Sequence, residues 1–206
     1  NPNDKTLHIS YKELHSKVCS FANVLKKNNI DKGDRVCIYL PMVPELAIAV
    51  LACARIGAVH SVVFAGFSST ALAARINDAS CKMVLTSDGS FRGNKTIDLK
   101  SIVDKSLNQC DCVESVIVLN RINSGITLNK NEKWRHEELS TVNDNCPAEI
   151  VDSEDPLFIL YTSGSTGKPK GVMHTSGGYI VYASLTHEYI FNYEKGDIYW
   201  CTADIG

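Results

Sequence analysis

Two hydrophobic patterns alternate along the first 120 residues, and this alternation constrains the fold more than any other feature. Val36-Cys-Ile-Tyr-Leu40 reads as a continuous apolar run and Val59–Phe64 as another buried strand, the pattern of strands covered on both faces, and Lys82–Thr86 and Val113–Leu119 read as a third and a fourth strand. Segments with a single apolar face precede or separate them. After the capping-box pattern Ser10-Tyr-Lys-Glu13, residues Tyr11, Leu14, Val18, Phe21 and Leu25 recur at steps of three and four, and the helix they predict closes near Lys26-Lys27-Asn28. Asp31-Lys-Gly33-Asp34 then reads as a turn. Pro44-Glu45 suits the first turn of a second helix and Gly57 its stop. Ser68 or Ser69 can cap a third, with Leu72 and Ile76 inward, and Leu99, Ile102, Val103 and Leu107 mark a fourth. Every connection is long enough for a crossover. The expected fold is therefore α/β, a mostly parallel sheet with helices on both faces.

Residues 120–156 break the pattern. They are polar, rich in Asn and Glu and weakly periodic, and they predict an irregular surface segment with Trp134 pinned against the body. In the whole chain of 206 residues, 44% are hydrophobic and 21% charged, which excludes a disordered tail and allows a sizeable core without staples. Lys+Arg 21 against Asp+Glu 23 gives a net charge of −2, so neither nucleic acid nor an anionic membrane is an expected partner. The longest apolar run, Leu46–Ala54, has 9 residues, whereas a membrane span needs roughly 20. The eight cysteines (Cys19, Cys37, Cys53, Cys81, Cys110, Cys112, Cys146 and Cys201) form no C-x-x-C and have no His pair at zinc-finger spacing. Several lie in apolar runs, which predicts buried, reduced thiols, a cytoplasmic location and no metal site. Asn94-Lys95-Thr96 matches a glycosylation triplet and is read as chance, since no secretory signal accompanies it.

Chemistry concentrates in one place. A buried strand, Leu157–Tyr161, runs into Thr162-Ser-Gly-Ser-Thr-Gly-Lys-Pro-Lys-Gly171, after which Val172-Met-His174 is extended again. The string holds the hydroxyls of Thr162, Ser163, Ser165 and Thr166, the glycines 164, 167 and 171, and the charges of Lys168 and Lys170. Gly164 and Gly167 permit backbone angles that aim successive N–H groups at one point. Hydroxyls add neutral donors and the lysines add charge, a set suited to an oligophosphate. It is not a Walker A loop: the residue five before Gly167 is Thr162, Pro169 follows Lys168, and the flanks read as two strands, so the loop should tip a hairpin instead of capping a helix. No G-x-G-x-x-G follows any strand, which argues against a dinucleotide dehydrogenase.

Tyr161-Thr-Ser-Gly-Ser-Thr-Gly-Lys-Pro-Lys-Gly-Val172 resembles the phosphate-binding signature of the adenylate-forming superfamily, which includes acyl-CoA synthetases, luciferases and peptide-synthetase adenylation domains. His174-Thr-Ser-Gly-Gly-Tyr179, Asp197–Gly206, Val63-Phe-Ala-Gly-Phe-Ser68 and Arg92-Gly-Asn-Lys95 narrow the likeness to the acetyl-coenzyme A synthetase family, its acetyl/propionyl branch. The resemblance runs over nearly the whole chain and is weakest at 120–156. It implies that residues 1–206 are part of the large N-terminal domain of an adenylate-forming enzyme, cut at both ends, since the chain opens at Asn1 without Met and stops just after a strand-like run.

The resemblance also implies the site. Thr162, Ser163, Gly164, Ser165, Thr166, Gly167, Lys168, Lys170 and Gly171 would hold the β- and γ-phosphates of ATP. Arg92, Gly93, Asn94 and Lys95, with the backbone at Gly66, would bind CoA. Lys95 stands where the family often has Arg, keeping the charge but losing the bidentate fork. Mg²⁺ would bridge phosphate oxygens, with its protein ligand outside these residues. No catalytic residue and no metal ligand are expected within 1–206. The implied activity is acetate–CoA ligation through acetyl-AMP, with acetate, ATP and CoA as partners and the remainder of the chain required for turnover. A propionyl- or other short-chain acyl-CoA synthetase is the nearest alternative, and a non-catalytic nucleotide- or CoA-binding module is the alternative of another kind. His174 is read either as a phosphate contact or as a hydrogen-bonded strand-end residue. His60 is read as a satisfied core imidazole, Trp200 and Cys201 as core, and Asp204 is left unassigned.

Overall fold

The computed structural model describes residues 7–162 and 169–205. In chain order the elements are α1 (Tyr11–Lys27), β1 (Arg35–Ile38), α2 (Pro44–Arg55), β2 (Val59–Val62), α3 (Ser69–Asp78), β3 (Met83–Ser87), β4 (Ser90–Arg92), β5 (Lys95–Ile97), α4 (Leu99–Leu107), β6 (Ser115–Leu119), β7 (Glu132–Trp134), α5 (Arg135–Leu139), β8 (Pro156–Thr162), β9 (Lys170–Thr175) and α6 (Ser176–Leu185), the last followed by a π-helical turn over Thr186–Ile190. Seven strands form one sheet in the order β7-β6-β3-β1-β2-β8-β9, parallel throughout except for the antiparallel pair β8–β9. Strands β4 and β5 make a separate antiparallel hairpin.

Helices cover both faces, and the continuous runs show why. Val36 and Ile38 of β1, Met83 and Leu85 of β3 and Ile117 of β6 face a core shared with α1 and α2. Their neighbours Cys37, Val84, Val116 and Val118 face the opposite core, built with α3 and α4. A strand with a core on each side has no solvent face and so no alternation. The capping box is formed: the Ser10 hydroxyl accepts the Glu13 N–H at 3.3 Å and the Glu13 carboxylate accepts the Ser10 N–H at 2.8 Å. Tyr11, in that first turn, stays exposed. Ser68, not Ser69, caps α3.

Three expectations need correction. Residues 120–156 are not uniformly irregular, because β7 extends the sheet edge and α5 follows it. Elements of three and five residues are too short to register as periodicity. Polar pairing also holds them. Buried Glu132 meets Lys100 at 2.9 Å, and buried Glu138 accepts hydrogen bonds from Asn28 at 2.8 Å and Lys27 at 3.2 Å. Second, the strand-like run near the end of the chain forms no strand over 191–205, where Trp200 and Cys201 are exposed and no described element packs over them. Third, His60 is in the core, but its Nδ1 is buried with no hydrogen-bond partner. No helix among the described residues is long and apolar enough to cross a membrane, and the cysteines are all free thiols.

Candidate functional site

Strands β8 and β9 pair in register from Phe158↔His174 to Thr162↔Lys170. The two strands form an antiparallel pair, as the sequence predicts for the flanks of the loop, and the next helix, α6, starts only after β9. Ser163, Gly164, Ser165, Thr166, Gly167 and Lys168 lie outside the described residues. Thr162 and Lys170 stand opposite one another at the mouth of the hairpin, both exposed, so their side chains share one face. Gly171 sits against Tyr161: a Cβ there would lie 3.1 Å from Ile159 Cγ2 and 3.2 Å from Tyr161 Cε1.

The root of this hairpin is tied to α3. The Tyr161 hydroxyl donates to Asp78 Oδ2 at 2.6 Å, and burial together with that carboxylate pushes the phenol above its ordinary range. Arg75 lies between two rings, 4.5 Å from Phe67 and 5.5 Å from Tyr161, while its Nη1 donates to the Ala71 carbonyl at 2.7 Å. The guanidinium thus braces the hairpin against the segment that carries Gly66.

A second cluster forms beside it. Parallel strands β2, β3 and β8 all end on the same edge of the sheet, the carboxyl edge where open α/β sheets bind ligands. Gly66 follows β2 and Arg92 follows β3, and the two line one cleft of about 230 Å³ together with Met42, Phe64, Phe91 and Asp204. Tyr39 fixes one wall by donating its hydroxyl to the Phe67 carbonyl at 2.8 Å. A Cβ on Gly66 would lie 2.3 Å from the Phe64 ring. The β4–β5 hairpin turns through Gly93, whose φ of +60° suits glycine in the first central position of a two-residue turn. Arg92 and Lys95 are cross-strand partners, yet only Arg92 lines the cleft, while Gly93, Asn94 and Lys95 form the exposed tip.

The match to the AMP-binding enzyme family covers residues 3–206. The chain belongs to that family. Acetyl-coenzyme A synthetase of Bdellovibrio bacteriovorus is 56% identical over 100% of this chain, which covers 32% of that protein. The protein of that name from Bradyrhizobium diazoefficiens is 58% identical over 97% of the chain and 31% of its own length. Acetyl-coenzyme A synthetase 2 of Pseudomonas aeruginosa is 56% identical over 100% of the chain. The acetoacetyl-CoA synthetase structure from Streptomyces lividans superposes with a TM-score of 0.86 at 26% identity, over 94% of this chain and 29% of that one. The chain thus spans about a third of the length of these relatives.

In this member of the AMP-binding enzyme family, several side chains surround the candidate site without a sequence signal. Arg75, on α3, belongs to no motif of the sequence and is buried between aromatic rings. His174 stacks on Phe158 at 4.5 Å, edge-on to Tyr179, so its ring is engaged by aromatic neighbours. His60 lies on the other side of Phe158, 5.4 Å between ring centroids, at the wall of a largely apolar cavity of about 400 Å³ formed with α2 and α6. Burial pushes its pKa down to about 4.

Proposed function

We propose that this chain is part of an AMP-forming acetate–CoA ligase, in which ATP and acetate give acetyl-AMP and pyrophosphate, and CoA then takes the acetyl group and releases AMP. One observation carries the reading: strands β8 and β9, which flank the hydroxyl-, glycine- and lysine-rich string of the sequence, bring exposed Thr162 and Lys170 opposite one another on the carboxyl edge of the sheet, the edge that also carries a cleft holding an arginine. The names of relatives at 56–58% identity support it. Acetate is a poor electrophile, and joining it to AMP supplies a good leaving group. Departing pyrophosphate needs its growing charge neutralised, the role assigned to Thr162, Ser163, Gly164, Ser165, Thr166, Gly167, Lys168, Lys170 and Gly171. Arg92, with the Gly66 backbone, is assigned to CoA, its guanidinium suited to phosphate, while Gly93, Asn94 and Lys95 approach from the hairpin tip. Mg²⁺ supplies further charge neutralisation when bound to the phosphates; its protein ligand is assigned to the part of the protein outside 1–206. The chain taken alone is proposed to be inactive. The exposed apolar side chains of Met173, Tyr182, Ile190 and Trp200 are assigned to contacts with the rest of the protein. Free thiols at all eight cysteines fit a cytoplasmic enzyme. A related structure named for acetoacetate has the same fold over this region, so the choice between acetate, propionate and other short acyl groups is assigned elsewhere.

Two variants of the intact protein test this. Lys170→Ala is expected to lower acetate-dependent ATP–pyrophosphate exchange roughly 10- to 100-fold, the loss of one charge-assisted hydrogen bond. Arg92→Ala is expected to raise the KM for CoA about tenfold and leave that exchange unchanged, since it precedes CoA. Exchange at the wild-type rate in the Lys170 variant would overturn the phosphate role of that lysine.

A further inference from the structure

Asp88 lies between β3 and β4, 1% exposed, and none of the roles above uses it. Its carboxylate is fully engaged by one loop. Oδ1 accepts the N–H groups of Arg121 at 2.8 Å and Ile122 at 3.1 Å, and Oδ2 accepts the N–H of Ser124 at 3.0 Å and its hydroxyl at 3.1 Å. The Asp88 N–H donates in turn to the Leu119 carbonyl at 3.0 Å. Burial alone would raise this carboxyl's pKa, but the four hydrogen bonds outweigh it and hold the group below the usual carboxylate range. The loop after β6 is thereby wound around one anion, tightly enough that Asn123 takes a φ of +53°.

That loop forms the seat of the β4–β5 hairpin. At Gly89 a Cβ would lie 2.4 Å from Ile122 Cδ1 and 2.8 Å from the Ile97 carbonyl oxygen, so the backbone threads between the loop and β5 with no space for a side chain. The Ser87 hydroxyl fixes the same peptide by donating to the Gly89 carbonyl at 2.9 Å. Arg121 places its guanidinium 5.9 Å from the ring of Phe91, the residue before Arg92. We propose that Asp88 is a positioning residue for CoA: by gathering residues 121–124 on its carboxylate it sets the wall against which Gly89 and Phe91 seat, and so fixes Arg92 in the cleft with Gly66. This rests on the assignment of Arg92 to CoA.

The test uses the intact protein and two readouts: the KM for CoA in the complete reaction, and acetate-dependent ATP–pyrophosphate exchange measured without CoA. Asp88→Asn keeps one acceptor oxygen but turns an amide NH₂ toward backbone N–H groups. It is expected to raise the KM for CoA about tenfold while exchange stays within twofold of wild type, as misplacing a binding group by a fraction of an ångström does. Ser124→Ala removes only the hydroxyl contact and is expected to raise that KM about threefold, which keeps the proposal testable if the Asp88 variant does not fold. Unchanged KM values in both variants, beside a raised KM in Arg92→Ala, would overturn the positioning role alone. An unchanged KM in Arg92→Ala would overturn the CoA assignment and this role with it. Equal losses of exchange and CoA turnover in Asp88→Asn would mark a general structural role and also overturn it.

Discussion

Replacing Lys100 with Met in the intact protein is expected to destabilise the sheet edge by about 3–5 kcal/mol, the cost of leaving a buried charge without its partner. Lys100, on α4, is 3% exposed. Its ammonium meets Glu132 Oε1 at 2.9 Å, both side chains nearly sealed from water at 4% and 3% exposure, and Asp104 at 2.5 Å one helical turn on. Burial works against the Lys100 charge, but the two carboxylates outweigh it and raise the pKa. Removing the lysine returns Asp104 to solvent at little cost, since its side chain is 41% exposed. Glu132 has no such escape: it sits in β7, and its other oxygen accepts the Asn129 N–H at 2.7 Å. The double variant Lys100→Met/Glu132→Leu is expected to recover most of the loss, because an apolar pair of similar volume replaces a buried ion pair at little net cost. Urea unfolding checks the global effect and hydrogen exchange at the β7 amides the local one. A single variant as stable as wild type, or a double variant no better than the single, would refute the account.

Acidification gives the second large effect. An unfolded histidine titrates near pH 6.5, whereas burial holds folded His60 at about 4. Above 6.5 the ring is neutral in both states and the group makes no difference. Below it the unfolded chain gains a proton that the folded chain refuses, so stability falls with pH until the folded pKa is reached. The window from pH 6.5 to 4 corresponds to a loss of about 3 kcal/mol from this one ring. Asp88 and Glu138 carry lowered pKa values and lose their stabilisation only at lower pH, as they protonate, which separates the two contributions. His60→Phe keeps an aromatic ring against Phe158 and removes the orphan Nδ1. It is expected to be at least as stable as wild type at pH 7 and to lose the slope between pH 6.5 and 4.5. Parallel stability–pH curves for the two proteins would sink this assignment.

Reading the sequence recovered what continuous patterns encode. The unbroken run around Cys37 announces a strand with a core on each side, the shorter runs around Val84 and Ile117 announce strands, and Ser10 with Glu13 announces the start of α1. Strand order was not legible, because no residue in β2 specifies β8 as its neighbour. Long-range polar pairs hid the rest. Glu132, Glu138 and Lys100 look like solvated charges until the fold places their partners beside them. At the candidate site, the density of hydroxyls and lysines from Thr162 to Gly171 is a signal of the sequence itself, and of those residues the structure describes only Thr162, Lys170 and Gly171. Gly66 and Arg92 were legible as a pair only through resemblance, and the fold supplies the physical reason they meet, since both follow strands ending on one sheet edge. Asp88 before Gly89 looks like an ordinary turn, and nothing local says that its carboxylate collects a loop from beyond β6.

The sheet order also sets a timetable for biogenesis. Strands β1, β2 and β3 are adjacent in space and emerge close together during synthesis, so their pairing can begin while the ribosome is still elongating. Strand β8 joins β2 through the single registered pair His60↔Phe158 and comes from much later in the chain. Until the hairpin arrives, that flank of β2 offers unpaired backbone groups to any other nascent strand. Strands β8 and β9 thus join a platform of earlier strands, and the interval before they arrive leaves that flank of β2 open to mispairing.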